Sequence, residues 1–216
     1  VSSGIRLFAV LLLIFIINLR PMLLGDKADL ETRNLDILFV VDATISMWAE
    51  DYDGNRQRMS AVTEDCGYIM DELNGANFGL IRFDNNAQIL APFTQDSRNV
   101  RDALDTIKAP DEYYAAGSDL SVPIVKMQEL LKSSDSKEDR KTIVYFFSDG
   151  EITNGAELVS YAALAGLIDH GAVLGYGTDS GGRMRYGSYS SYIYDYETGK
   201  DAVSVIDENS LKKIAS

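Results

Sequence analysis

The sequence predicts an α/β fold with a doubly wound, mostly parallel sheet and one antiparallel edge strand, of the Rossmann-like kind. Three apolar runs, at 36–41, 142–147 and 172–176, are typical of parallel strands that are buried on both faces. Helical patterns separate these runs, and strands joined by helices lie parallel in one sheet. Two further strand-like segments, 77–83 and 88–93, flank a short polar turn and therefore predict an antiparallel hairpin at an edge.

Between the strands, apolar residues recur at three- and four-residue spacing, which predicts amphipathic helices. The first helix, 56–74, places Cys66 on its apolar side, so this cysteine is predicted to be a core residue. His170 ends another predicted helix, where a cationic side chain interacts favourably with the helix dipole. The remaining predicted elements are helices at 96–108, 120–131 and 157–170, a hairpin of 192–196 with 202–206, and a final helix from Glu208.

Composition excludes several classes of protein. The 216 residues carry a formal net charge of −13, whereas nucleic-acid binding requires a basic surface. One cysteine cannot form an internal disulfide or a site with several thiolates, and one histidine excludes a histidine-rich metal centre. An acidic surface is compatible with the binding of cations or of basic partners.

The first 24 residues are predicted to be a transmembrane anchor rather than part of a soluble fold. Residues 7–17 carry no polar side chain, and the stretch 5–24 reaches the about 20 residues that a helix needs to cross a bilayer. The alternatives are the apolar region of a signal peptide, for which no small-residue cleavage site follows, and a buried core helix. We expect a polar juxtamembrane linker at 25–34 and one domain at 35–216.

Oxygen-bearing side chains follow the predicted strands at the points where ligands bind in doubly wound sheets. Asp42 ends the first buried strand, and the hydroxyls of Thr44 and Ser46 follow at alternate positions. Ser118 begins a predicted helix, and Asp149 follows the second buried strand. Two carboxylates and three hydroxyls form an all-oxygen set that suits a hard divalent cation such as Mg²⁺. The sequence therefore predicts a metal site made of these five residues.

Other interpretations of the same residues remain open. Ser118 and Asp119 are also ordinary helix caps, and Asp149-Gly150 is also an ordinary turn. One alternative function is therefore a structural scaffold without a functional metal. The other is a Mg²⁺-dependent phosphatase of the haloacid dehalogenase type, but Thr44 occupies the place of the second aspartate that such enzymes need. We expect a binding module and not an enzyme.

In this order, Asp42-x-Thr44-x-Ser46, Ser118 and Asp149 resemble the metal-ion-dependent adhesion site (MIDAS) of von Willebrand factor A (VWA) domains, whose pattern is D-x-S-x-S, then T, then D. The resemblance implies that Mg²⁺, Mn²⁺ or Ca²⁺ is held directly by the three hydroxyls, and directly or through water by the two aspartates. It also implies that an acidic group of a protein ligand completes the shell. Thr44 and Ser118 depart from the pattern, but both keep the hydroxyl.

A narrower resemblance covers about the whole chain. The segments SMWAED at 46–51, SDGE at 148–151, LGYGT at 174–178 and VSVIDE at 203–208 resemble the bacterial aerotolerance-type (Bat) VWA membrane proteins. That resemblance implies a VWA domain next to membrane spans, facing outside the cytoplasm. It also implies protein–protein interaction in a stress-related membrane complex with a MoxR-type AAA+ ATPase.

Overall fold

A five-stranded sheet organises the domain, which the computed structural model describes over residues 32–110, 117–135, 140–185 and 191–216. The strands are β1 (Leu35–Asp42), β2 (Asn77–Phe83), β3 (Ala87–Thr94), β4 (Lys141–Ser148) and β5 (His170–Gly175). The helices are α1 (Arg58–Glu72), α2 (Ser97–Asp105), α3 (Ile124–Asp135) and α4 (Glu208–Ile214), with 3-10 helices at Ile45–Trp48 and Tyr161–Leu167.

The strands lie side by side in the order β3-β2-β1-β4-β5. β1 pairs in parallel with both β2 and β4, and β4 pairs in parallel with β5. β3 is antiparallel to β2, so the predicted mostly parallel sheet with one antiparallel edge strand is confirmed. The carboxyl ends of four strands therefore meet at one edge of the sheet.

Alternate residues of β1 point to opposite faces of the sheet, and each face is covered by helices. Phe39 and Val41 pack with apolar residues of α1 and α2. Leu38 and Val40 pack with apolar residues of α3 and of the second 3-10 helix. Helices on both faces confirm the doubly wound arrangement.

Aromatic rings fill much of the core between the sheet and helices α1 and α2. Phe39 contacts Phe78 and Phe147, with ring centroids 5.8 Å apart in each pair. Cys66 is buried in the same core, as predicted. Burial raises the pKa of its thiol, so this cysteine stays protonated and is inert as a nucleophile.

The prediction of a helix over 157–170 is wrong. A 3-10 helix covers only Tyr161–Leu167, and His170 is the first residue of β5 and not a helix cap. The helix starts late because the Val159 amide donates to the Ser121 hydroxyl (3.0 Å), outside any helix. It ends early because the Asp169 amide already donates to the Thr142 carbonyl of β4 (3.0 Å), which begins the pairing of β5.

Residues 176–185 and 191–207, which we call the C-terminal segment, form two small antiparallel pairs. β6 (Gly182–Arg183) pairs with β9 (Val203–Ser204), and β7 (Tyr194–Asp195) pairs with β8 (Lys200–Asp201). The predicted hairpin of 192–196 with 202–206 is therefore correct only near its turn, because β9 pairs with β6 instead. The Glu50 amide donates to the Arg183 carbonyl (3.0 Å), which joins this segment to the loop after β1.

No helix in the described part of the chain is long and apolar enough to cross a membrane. The predicted anchor at 1–24 lies outside the described residues, as does the predicted linker at 25–34 except for its last three residues. Both assignments stay predictions.

Candidate metal centre

The predicted metal ligands of β1 and β4 lie at the edge of the sheet where the parallel strands end. Asp42 is the last residue of β1, and Asp149 directly follows the last residue of β4. The two strands are hydrogen-bonded neighbours, with Val41 beside Phe147, so the two aspartates end adjacent strands. Both aspartates are fully buried.

The Asp42 carboxylate is held by its own loop and by β4. Its Oδ1 atom accepts hydrogen bonds from the Thr44 amide (2.9 Å) and the Thr44 hydroxyl (2.6 Å). Its Oδ2 atom accepts a hydrogen bond from the Ser148 hydroxyl (2.6 Å). The hydroxyl oxygens of Thr44 and Ser46 are 3.0 Å apart. The structure therefore brings Asp42, Thr44 and Ser46 together.

The pKa of Asp42 is raised from 3.8 to about 7, first because the carboxyl group is buried and second because the Asp149 carboxylate is near. Hydrogen bonds from Ser148 and Thr44 lower the pKa and offset only part of this rise. Two buried carboxylates at one edge of the sheet repel each other. A cation bound near both would therefore stabilise both charged groups.

Asp149 is held by a residue that sequence analysis did not identify. Arg58, the first residue of α1, is fully buried, and its Nη1 atom donates to the Asp149 Oδ2 atom (2.8 Å). The Glu151 amide donates to the Oδ1 atom of the same carboxylate (3.0 Å). Arg58 and Asp149 are 91 positions apart, and no sequence pattern around Arg58 marks it as a site residue.

Ser118 lies in the loop before α3, and no hydrogen bond joins it to the other four predicted ligands in the part of the chain that is described. Its amide donates to the Thr153 hydroxyl (2.7 Å), and its carbonyl accepts from the Thr153 amide (3.1 Å). Gly117 precedes it with a φ of +88°, and a Cβ atom there would lie 2.9 Å from the Asn154 backbone nitrogen. Only glycine, which has no Cβ atom, allows the Asn154 backbone to lie this close. The place of Ser118 in the metal site stays a prediction.

The chemistry of the donor set fits a hard cation. Carboxylate and hydroxyl oxygens are the ligands that Mg²⁺, Mn²⁺ and Ca²⁺ prefer. No three histidine, cysteine, aspartate or glutamate side chains form a metal-binding cluster among the described residues. A cation at this edge would therefore depend on the hydroxyls, and those of Thr44 and Ser46 already lie together beside Asp42.

One protein-family model matches the part of the chain that carries these residues. The model for the von Willebrand factor type A domain matches residues 37–151, just over half of the chain. The chain belongs to the von Willebrand factor type A domain family. The matched residues run from β1 to the loop after β4, so they include all five predicted metal ligands of this VWA domain.

Two solved structures resemble this VWA chain over most of its length. One is the conserved hypothetical protein BatB from Bacteroides thetaiotaomicron, with 23% identity, a TM-score of 0.66 and coverage of 84% of this chain and 85% of that chain. The other is an aerotolerance-related membrane protein from Bacteroides fragilis, with 21% identity, a TM-score of 0.70 and coverage of 84% and 86%. The VWA chain thus shares its fold with Bat-type proteins.

A third similar structure is proximal thread matrix protein 1 from the mussel byssus, with a zinc-occupied MIDAS motif. It is 16% identical to this VWA chain, with a TM-score of 0.52 and coverage of 67% of this chain and 38% of that chain. Because the sequence identities of all three structures are below 25%, the similarity shows the fold alone. No curated protein sequence matches the chain.

Proposed function

We propose that this VWA domain binds one divalent cation, Mg²⁺, Mn²⁺ or Ca²⁺, and uses it to hold an acidic side chain of a partner protein. The oxygen cluster of Asp42, Thr44 and Ser46 at the end of β1 carries the proposal. The full set of proposed ligands is Asp42, Thr44, Ser46, Ser118 and Asp149. The zinc-occupied MIDAS of the mussel protein supports a metal at this place in the fold.

The proposed ligands divide into two chemical groups. The hydroxyls of Thr44, Ser46 and Ser118 are neutral donors, whereas Asp42 and Asp149 carry negative charge. A bound divalent cation would supply the positive centre that attracts a carboxylate. The carboxylates of Asp42 and Asp149 would balance the charge of a divalent cation. Asp149, however, is already ion-paired with Arg58, with its Oδ2 atom 2.8 Å from Nη1. The site therefore keeps an attraction for a further carboxylate, which a partner supplies.

A binding role agrees with the family. VWA domain proteins are generally adhesion or interaction modules rather than enzymes. The phosphatase alternative needs an acidic residue where this chain has Thr44, and the Thr44 hydroxyl instead donates to Asp42 (2.6 Å). We therefore propose protein–protein interaction without catalysis.

We infer a membrane setting from a relative and from the sequence. The similar Bacteroides fragilis protein is an aerotolerance-related membrane protein. Residues 7–17 of the present chain carry no polar side chain. We propose that residues 1–24 anchor the chain, that the VWA domain faces outside the cytoplasm, and that it works in a stress-related complex with a MoxR-type AAA+ ATPase.

Calorimetric titration with Mg²⁺ and Mn²⁺ tests the metal site. We expect the wild-type protein to bind one ion, and Ser46→Ala and Ser118→Ala to bind at least about tenfold more weakly, because each loses an oxygen ligand. Thr44→Ser keeps the hydroxyl and should bind as the wild type does. Ser97→Ala, at the start of α2, is the control. A wild-type protein that binds neither ion at millimolar concentration would contradict the proposal and leave the metal-free scaffold as the function.

Membrane fractionation tests the anchor. The full chain should remain with the membrane after extraction with high salt and with alkaline carbonate, because an apolar helix of about 20 residues is held by the bilayer and not by charge. A chain shortened to begin at Asp29 should be recovered in the soluble fraction. Recovery of the intact full chain in the soluble fraction would refute the anchor.

A further inference from the structure

Arg58 is the largest fully buried side chain among the described residues, and it is charged. All five of its N–H groups have acceptors, the complete complement of a guanidinium. Nε and Nη2 donate to the two carboxylate oxygens of Asp51 (2.7 and 2.8 Å), and Nη2 also donates to the Ser204 carbonyl (2.9 Å). Nη1 donates to the Asp149 Oδ2 atom and to the Ser204 hydroxyl, both at 2.8 Å.

The position of Arg58 is itself fixed by the C-terminal segment. The Asp51 Oδ2 atom accepts further hydrogen bonds from the Thr178 amide (2.9 Å) and the Thr178 hydroxyl (3.1 Å). Gly177 has a φ of +120°, and a Cβ atom there would lie 2.7 Å from the Arg58 Cζ atom. The Gly177 backbone therefore lies directly against the guanidinium, where any side chain would overlap it.

Arg58 in turn limits the freedom of the Asp149 carboxylate. The Oδ2 atom of Asp149 receives the Arg58 Nη1 hydrogen, and the Ser204 hydroxyl lies 3.4 Å away. The same hydroxyl donates to the Glu151 carboxylate (2.7 Å), and the Glu151 amide donates to the Asp149 Oδ1 atom. One closed network thus joins α1, the end of β4 and β9.

We propose that Arg58 is a positioning residue of the metal site: it sets the orientation of the Asp149 carboxylate and ties that carboxylate to the C-terminal segment. The proposal rests on the proposed function. A buried ion pair is weak evidence of a stabilising role, because such pairs are often replaced by apolar residues without loss. A cation beside a metal ligand also repels the metal. Control of the Asp149 orientation explains why a cation occupies this position.

Charge-balanced pairs of substitutions test the role. The double variant Asp51→Asn/Arg58→Met removes one negative and one positive charge, so the net charge is unchanged while Asp149 loses its partner. The matched control, Asp71→Asn/Arg101→Met, removes an ion pair of 2.7 Å between α1 and α2. In titration with Mg²⁺ we expect affinity about 10–100-fold lower for the first double variant, the usual effect of removing a group that orients a metal ligand. Equal affinities of the two double variants would overturn the proposal.

Single substitutions separate position from charge. Arg58→Met removes a positive charge, and charge alone would strengthen cation binding. We nevertheless expect weaker Mg²⁺ binding, and tighter binding would overturn the proposal by showing that Arg58 only competes with the metal. Arg58→Lys keeps the charge but cannot reproduce the planar fork of donors. We expect it to remain about tenfold weaker than the wild type, and an affinity equal to that of the wild type would overturn the proposal by showing that the fork of donors is not needed.

Amide hydrogen exchange in EDTA tests whether Arg58 positions the Asp149 carboxylate when no metal is bound. The Glu151 amide donates to Asp149, whereas the Thr44 amide donates to Asp42. In the Asp51→Asn/Arg58→Met variant, we expect the Glu151 amide to exchange faster than in the wild type and the Thr44 amide to keep its rate. Ser204→Ala, which removes one partner of Arg58, is a milder variant that should show the same change at smaller size if the double variant fails to fold.

The two measurements distinguish failure of this proposal from failure of the metal site. If the wild type binds no Mg²⁺ but the Glu151 amide loses protection in the variants, the proposed function is wrong and Arg58 still positions Asp149. If the Glu151 amide keeps its protection in the folded variants, Arg58 does not position Asp149, whatever the titration shows.

Discussion

Replacing Asp42 by asparagine is expected to abolish Mg²⁺ binding and to stabilise the metal-free protein above pH 7. The pKa of Asp42 is raised to about 7, so at higher pH the folded protein holds a buried carboxylate beside Asp149. Asparagine carries no charge, and its amide oxygen still accepts from Thr44. The expected gain in the free energy of unfolding is on the order of 2–4 kcal/mol, which corresponds to about 5–15 °C in melting temperature.

This gain should depend on pH in a defined direction. The folded protein binds the Asp42 proton more tightly than the unfolded chain does, so protonation of this group favours folding at low pH. That contribution is lost as the pH rises from about 4 to about 7. The advantage of Asp42→Asn should therefore shrink as the pH is lowered from about 8 to about 5. Below pH 7, the Mg²⁺ affinity of the wild type should fall about tenfold per pH unit, because protons compete for the carboxylate.

Thermal unfolding in EDTA over this pH range, with calorimetric titration alongside, measures both effects. The control is Asp96→Asn at the exposed N-cap of α2, where a hydrogen bond from Arg98 lowers the pKa of the aspartate. This substitution should give no gain above pH 7. Equal melting temperatures of the wild type and Asp42→Asn at pH 8 would show that Asp42 is not destabilising, and unchanged Mg²⁺ affinity would show that it is not a ligand.

Gly150→Ala should lower the free energy of unfolding by about 2–6 kcal/mol. Gly150 has a φ of +81°, and a Cβ atom there would overlap the Asp207 carbonyl oxygen and lie 2.8 Å from the Leu211 Cγ atom. The left-handed backbone costs about 1–3 kcal/mol for a residue with a side chain, and the overlap costs about 1–3 kcal/mol more. Because Asp207 caps α4, the helix must move away from the end of β4 to admit the methyl group.

Alanine substitutions at two other glycines separate the cost of the left-handed backbone from the cost of the overlap. Gly155 has a φ of +74° with no atom within 4 Å of a Cβ atom, so Gly155→Ala should cost only the left-handed backbone, about 1–3 kcal/mol. Gly166 has the same free space and no positive φ, so Gly166→Ala should be neutral or slightly stabilising. Chemical denaturation of the three variants makes the comparison. A Gly150→Ala variant no less stable than Gly155→Ala would mean that the contact with α4 is loose.

The sheet was predictable because its signals are local. The apolar run of β1 and the buried run of β4 each fit within eight residues. β1 ends at Asp42, and β4 ends one residue before Asp149. The helix at 157–170 was not predictable in the same way. Its limits are set by hydrogen bonds from Val159 to Ser121 and from Asp169 to Thr142, which are partners remote in sequence.

At the candidate site, too, contacts that are local in sequence were predictable and long-range contacts were not. Asp42, Thr44 and Ser46 lie within one loop, so their spacing alone predicts that they meet. Arg58 reaches Asp149 across 91 positions and Ser204 across 146 positions, and no spacing rule describes such contacts. Asp42 is fully buried although it is the last residue of its strand. Alanine there would leave the donors of Thr44 and Ser148 without their acceptor, so asparagine is the sharper substitution.

The network around Arg58 also affects the order in which the protein can fold during synthesis. A nascent chain that has reached Asp149, directly after β4, already contains every proposed metal ligand, but it lacks Thr178 and Ser204. At that stage the guanidinium lacks both acceptors that Ser204 supplies, its hydroxyl and its carbonyl, and water takes their place. Domains in general fold as units while they leave the ribosome. The edge of the sheet that carries the site is therefore completed last, when β9 emerges and pairs with β6.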